Sequence, residues 1–481
     1  MDGSPGRHPS PILGHRAKPG IDCLPVGDRR SWAVSAPSFC SSKPPPSKAL
    51  GLYSGLGLVI ANMVGMGVLT SSGYMARSLP PKYIVAIWVL QGLLAIAGAR
   101  AYAALAVAVP RSGGEYRYLS DLLHPALGCL AGWCSLLVGF AAPVAANAYA
   151  AAAFLGLVIP GPPTKTTAAA LLALVAALQL RGVAVARSSQ NLLVLLKMGL
   201  VVAFIAIGLL LGHAARPADL TLDAGGSTHG TFSPFVMNLF FACYAYSGWN
   251  AAIYAAEEFD HPKRTIPRAM VLGAALVMVV YLLVAWVFIC NVAEADMSQW
   301  DEAKVTMAHL IVRKLVSPAA ASAASIGAVV VLLSCMSAMM FTGPRVYAAM
   351  AADGYLPRLF ARRNDRTPTA SVLLQAVLAL ALLLTHSFSA LMANVGVVLT
   401  LVSGLTVCAV FRLRFGRMPL TRPDASSVLA AVLFLLGCVW LVFMGVWLVP
   451  GALGWTTALV AVSLVGYLSA RRARQRGQAA A

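Results

Sequence analysis

The chain has 481 residues, of which 59% are hydrophobic and only 11% charged. Soluble domains carry about 25% charged residues, so this sequence cannot cover a water-facing surface of its own size, and the soluble classes are excluded. The net charge of +19 would suggest nucleic acid in a soluble protein. Here the basic residues lie in short connectors without interleaved aromatics, which points to membrane orientation and to no nucleic-acid partner.

Residues 1–48 are rich in Pro, Ser, Gly and Arg and end in Lys43-Pro44-Pro45-Pro46. They lack the apolar core of a signal peptide and read as a disordered cytoplasmic tail. Apolar runs of about 20 residues, enough to cross a hydrocarbon core of about 30 Å, then recur to the end. Their approximate spans are 50–76, 83–109, 125–158, 166–181, 190–212, 232–256, 268–290, 318–352, 370–386, 388–411, 426–448 and 451–469. The expectation is an all-α integral membrane protein with twelve transmembrane helices in one domain, 49–470, followed by a basic cytoplasmic tail, 471–481. The short alternating strands of a membrane barrel are absent.

Lys and Arg set the orientation. With the N-terminus inside, the inner connectors hold Arg111 and Arg117, Arg181 and Arg187, Lys263, Arg264 and Arg268, Arg358 to Arg366, and Arg412 to Arg422. The outer connectors hold mostly isolated basics such as Lys82, Lys165, Arg216 and Lys304. Both termini are therefore expected on the cytoplasmic side of the cell (inner or plasma) membrane, with the lipid bilayer as the main partner.

Two segments carry the chemistry. The first contains Gly65-Met66-Gly67. Two glycines one residue apart weaken a helix, and backbone groups freed at mid-membrane must line a protein cavity rather than meet lipid. Freed N–H groups at a half-helix N-terminus attract a carboxylate; close helix packing is the alternative use of such glycines. The sixth segment reads Tyr244-Ala245-Tyr246-Ser247-Gly248-Trp249-Asn250, again small and polar residues inside an apolar helix. Interrupted segments at matching places in two halves are the sequence sign of an inverted-repeat transporter. The fifth segment holds Lys197 among apolar residues. A buried ammonium is expensive and usually functional, with snorkelling to the inner end as the alternative.

Of nine cysteines, seven lie inside apolar runs, and no Cys/His spacing suits a metal. No disulfide, metal or cofactor is expected, and no outer-connector cysteine offers a tether for a partner subunit. Gly113-Gly114 lacks the Lys and Ser or Thr of a phosphate loop, and the histidines are scattered, so no enzyme is expected.

Several motifs, in order, resemble the amino acid–polyamine–organocation superfamily, most closely its L-type amino acid permeases. They are Gly65-Met66-Gly67-Val68-Leu69, Pro110-Arg111-Ser112-Gly113-Gly114-Glu115-Tyr116, Tyr244 to Asn250, Glu257-Glu258 with Pro262 and Pro267, and Arg345 with Asp353-Gly354-Tyr355-Leu356-Pro357. The resemblance spans about residues 50–470. It implies a LeuT-type 5+5 inverted repeat with discontinuous helices 1 and 6. Substrate would be held by Met63, Val64, Gly65, Met66 and Gly67 and by Tyr244, Ala245, Tyr246, Ser247, Gly248, Trp249 and Asn250. The substrate carboxylate would meet N–H groups of the first set, its ammonium would meet carbonyls of Tyr244 to Tyr246, and Tyr244 would act as an aromatic gate. Lys197, seven residues after Gln190, occupies the place of a sodium ion in sodium-coupled relatives. Ser334 and Ser337 are its expected hydroxyl partners.

The resemblance implies sodium-independent secondary transport of amino acids by alternating access, either by exchange or with protons. A polyamine or organocation exchanger, and a transport-inactive amino acid sensor, are the alternatives. Met66 departs from the family's Ser or Thr, Ser247 from its Gly, and Ala104 from a common Glu. Arg100, one turn from Ala104, is expected to pair with an inner-connector acid. Glu257 and Glu258 are expected either to close an inner gate against basic residues or to lie solvated.

Overall fold

The computed structural model describes residues 50–65, 67–68, 71–72, 75, 78–181, 183–212, 232–292, 307–361, 368–386, 388–448 and 450–479. The expected tail 1–48 and Met66 lie outside the described residues. Helices α1 (Leu52–Met63), α2 (Pro81–Ala108), α3 (Gly114–Leu122), α4 (Pro125–Gly156), α5 (Thr164–Leu180) and α6 (Val183–Leu210) form the first half. The second half holds α7 (Phe232–Tyr246), a single turn α8 (Ala251–Tyr254), α9 (Pro262–Asn291), α10 (Met307–Leu315) and α11 (Pro318–Ala352). It closes with α12 (Thr369–Thr385), α13 (Phe388–Phe415), α14 (Ala425–Leu448) and α15 (Pro450–Ala479). The last helix runs on through the basic residues expected as a tail.

Proline sets many of the starts. It occupies the first turn of α2, α4, α9 and α11, where its missing N–H costs nothing and its fixed φ suits the helix. The Ser317 hydroxyl accepts the Ala320 N–H at 3.2 Å and caps α11.

Among the described residues, seven helices are long and apolar enough to cross a bilayer, and α1, α5 and α12 are apolar but shorter. The breaks explain part of the difference from twelve continuous spans, because α1 stops after 12 residues and α7 after 15. Large apolar side chains lie outward on α6 and α14, with Leu195 72% and Trp447 75% exposed. A surface of that kind needs lipid, and the chain is a multi-pass membrane protein. The longest helices, α4 and α11, have 32 and 35 residues, about 48 and 52 Å at 1.5 Å per residue, so both tilt or project.

Packing separates two groups. The most extensive helix contact is α2 with α9, and α1 also lies along α9. Separately, α11 packs on α4, α6, α10 and α12. Residues Ser135–Ala141 within α4 form a π-helical stretch, a distortion that often marks a functional site; nothing in the local sequence signals it.

Candidate functional site

The first segment breaks after Met63, with extended backbone at Val64, and helical residues resume at Gly67. The sixth breaks after Tyr246 and resumes at Ala251. The two breaks touch. A Cβ on Gly67 would stand 2.6 Å from Ala245 Cα, and one on Gly248 would stand 2.9 Å from Asn62 Cβ and 3.0 Å from its carbonyl carbon. Gly248 also has φ +101°, in the left-handed region that side chains disfavour. At both positions glycine is what lets one backbone reach the other.

The carbonyls at the end of α1 are accounted for one by one, as buried backbone groups must be. The Ile60 carbonyl accepts from the Val64 N–H at 2.8 Å. Ala61 accepts from Lys197 Nζ at 2.9 Å, and so does Val64. Asn62 receives the Cys335 thiol at 3.7 Å, and Met63 receives the Tyr281 hydroxyl at 2.6 Å. Lys197 thus caps a helix C-terminus, where a cation is favoured. It is fully buried, so it does not snorkel.

Its partners correct the sequence expectation. Ser337 Oγ accepts from Gln179 Nε2 at 2.9 Å, and Ser334 Oγ is buried without a hydrogen-bond partner among the described residues. The resemblance implied these hydroxyls on the facing helix, but the break presents the carbonyls of Ala61 and Val64 to the ammonium instead. The ammonium is bound to the broken strand itself.

Two carbonyls expected to be free on segment six are occupied. The Tyr244 carbonyl accepts from the Ser247 N–H at 3.0 Å and from its hydroxyl at 2.7 Å. The Ala245 carbonyl accepts from the Tyr281 hydroxyl at 2.8 Å. Ser247, the departure from the family's glycine, therefore closes its own turn. Tyr281 of α9, which the sequence reading passed over, bridges both breaks and packs on Tyr246 and Trp88 with ring centroids at 5.0 and 5.2 Å. Its signal in sequence was a lone tyrosine in an otherwise apolar run.

A cavity of about 80 Å³ lies beside the second break. Tyr246, Ser247, Gly248, Trp249 and Asn250 line it, with Asn62 from α1, Ser135 and Phe140 from the π-helical stretch, Met339 from α11 and Thr400 and Ser403 from α13. Of the other expected site residues, Met63, Val64, Gly65, Gly67, Tyr244 and Ala245 lie off this cavity. Tyr244 is buried, as are Met63 and Val64.

One end of the helices is tied by three of the sequence motifs. The Arg345 guanidinium makes a two-pronged pair with Glu258, at 2.8 and 3.1 Å, and lies over the Phe341 ring. Tyr116 and Arg117 both donate to Asp353 Oδ2, at 2.5 and 2.9 Å. The Leu50 N–H donates to the Glu258 carbonyl at 3.1 Å, and the Asp260 N–H to the Leu50 carbonyl at 3.2 Å. Glu257 enters through its backbone, whose N–H donates to Ser112 Oγ at 3.1 Å.

Arg100 pairs with Asp424 at 2.6 Å and donates to Ser426 Oγ at 2.7 Å. The hydroxyls of Ser427 and Ser426, with Arg100 behind them, hold the Asp424 carboxyl at about 2, below its ordinary value of about 3.9. A carboxyl depressed by folding stabilises above its unfolded value and loses that contribution as pH falls through the folded one. Asp424→Asn is expected to lower the melting temperature in detergent slightly at about pH 5 to 7, with the difference from wild type shrinking from about pH 4 down to 2. The pair is largely exposed, so the effect stays within about 1 kcal/mol.

The family described as amino acid permease matches residues 50–469. The large neutral amino acids transporter small subunit 2 of Oryctolagus cuniculus is 25% identical over 438 residues, covering 87% of this chain and 80% of that protein. The b(0,+)-type amino acid transporter 1 of Homo sapiens is 26% identical over 409 residues, covering 82% of each.

Proposed function

The chain belongs to the amino acid permease family, and on that premise we propose that it carries amino acids across the plasma membrane by alternating access. It is not an enzyme; the family and the named relatives are transporters. The observation that carries the reading is the contact between two interrupted helices, Gly67 on Ala245 and Gly248 on Asn62, beside a cavity lined by Tyr246 to Asn250. Each half-helix pair counts as one crossing in a twelve-helix, 5+5 inverted repeat, with both termini cytoplasmic. The substrate carboxylate meets the backbone of Gly65, Met66 and Gly67, and its ammonium meets the segment-six break. The group formed by α1, α2, α7, α8 and α9 rocks against the remainder, and the Glu258–Arg345 pair breaks and reforms at each inward opening.

Lys197 makes the cycle sodium-independent. Its ammonium already holds the Ala61 and Val64 carbonyls, the oxygens on which a cation would otherwise rest. Net movement proceeds by exchange for another amino acid or together with a proton.

Uptake of labelled amino acids into proteoliposomes tests the reading, in sodium and in choline media, with and without a pH gradient and internal amino acid. Equal uptake in both media is expected. Uptake that needs sodium removes the role given to Lys197. Binding without flux under every gradient marks a sensor instead of a carrier.

A further inference from the structure

Glu115 lies in the first turn of α3, and its side chain is directed inward. It is 2% exposed and lines the cavity beside the segment-six break. Three groups donate to a single oxygen, Oε1: the Tyr102 hydroxyl at 2.6 Å, Ser403 Oγ at 3.1 Å and Asn250 Nδ2 at 3.2 Å. Oε2 has no hydrogen bond among the described residues, and no Lys, Arg or His among them pairs with this carboxylate. A buried carboxylate without a cation is costly, and one that lines a cavity can take its cation from a ligand.

The surrounding chemistry selects the kind of cation. A hard metal ion needs several oxygen ligands. Here the three neighbours turn hydrogens toward Glu115 and leave one carboxylate oxygen, which suits a single N–H donor. Phe140, Met339, Leu399 and Trp249 give the same cavity an apolar wall. Asn250 links Glu115 directly to the break where an amino acid's own backbone groups would bind. A methylene stem ending in a charged nitrogen fits that path.

We propose that Glu115 is a specificity residue that receives the cationic side-chain end of a basic amino acid, so that the cavity takes lysine-like substrates as well as neutral ones. The proposal rests on the transport reading above and names part of its substrate range. Sequence inspection of the membrane segments could not find it, because the acid comes from a connector and is turned inward by residues 102, 250 and 403.

The test compares lysine with norleucine, which has the same carbon chain without the terminal ammonium, as competitors for uptake and for binding to the purified protein. Wild type is expected to bind lysine at least as well as norleucine. Glu115→Gln keeps the shape and the acceptor oxygen, and is expected to weaken lysine about tenfold or more while leaving norleucine within about twofold. Norleucine carried without any competition by lysine overturns the proposal and leaves the transport reading standing. Loss of both ligands in equal measure in Glu115→Gln assigns Glu115 to packing or to a proton, and also overturns it. If Glu115→Gln does not reach the membrane, wild type still decides, through lysine against its side-chain-acetylated form, which should compete about tenfold less well. Equal competition by the two forms overturns the proposal. A wild type that neither binds nor moves any amino acid removes the transport reading and this inference with it.

Discussion

Lys197→Ala is expected to reduce amino acid flux at least about tenfold while the protein still reaches the membrane in near-normal amounts. The substitution acts in two opposed ways. It removes a buried charge, which relieves the fold. It also leaves the carbonyls of Ala61 and Val64 without their donor, at about 1–3 kcal/mol for each buried unsatisfied group. These terms nearly offset in stability but not in function, because on the proposed transport cycle both carbonyls belong to the break that must hold one geometry while substrate binds. Lys197→Met separates the two: it keeps the packed volume and loses the donor, so its flux should match that of the alanine variant. Normal flux in either variant, measured in proteoliposomes at matched protein density, sinks the coupling role. If sodium takes the vacated place, flux becomes sodium-sensitive, and that change would identify the site more directly than the loss itself.

What was legible in the sequence were features written in local pattern. The Gly65-Met66-Gly67 spacing and the Tyr244 to Asn250 run announced breaks because glycine and polar residues are poor choices inside an apolar helix. Lys197 stood out because nothing nearby in sequence could pair with it. The described residues of the first break are Val64 and Gly65. Its place is fixed from a distance, by Lys197 on α6 and Tyr281 on α9 closing over the carbonyls of residues 61, 63 and 64.

Long-range pairing also decided what the sequence could not. Ser337 and Ser334 were the partners the resemblance implied for Lys197, but Gln179 from α5 takes Ser337. Glu115 read as one letter of a turn motif, and only the fold brings residues 102, 250 and 403 around it. Arg100 is the opposite case. An arginine in a membrane helix needs an acid within reach of its long side chain, and Asp424 is there.

Gly67→Leu is expected to abolish measurable substrate binding, a loss of at least about tenfold and in practice beyond detection. Even the first carbon of a side chain would stand 2.6 Å from Ala245 Cα, 2.7 Å from its Cβ and 3.3 Å from its backbone nitrogen. Backbone cannot give way as the end of a flexible side chain can, so the two breaks must separate. Separation moves Gly248 off Asn62 and pulls Tyr281 from at least one of the two carbonyls it bridges. The damage would therefore reach both halves of the site from one substitution. Gly57 is the control on the same helical segment, since a Cβ there would meet only Val194 Cγ1 at 3.8 Å. Gly57→Ala should bind substrate like wild type and, by helix propensity, be stabilised by up to about 1 kcal/mol. Titration of both variants by isothermal calorimetry in detergent distinguishes a general intolerance of larger residues in α1 from a specific one at the break. Wild-type affinity in Gly67→Leu would mean that the two interrupted helices need not touch for the amino acid to bind.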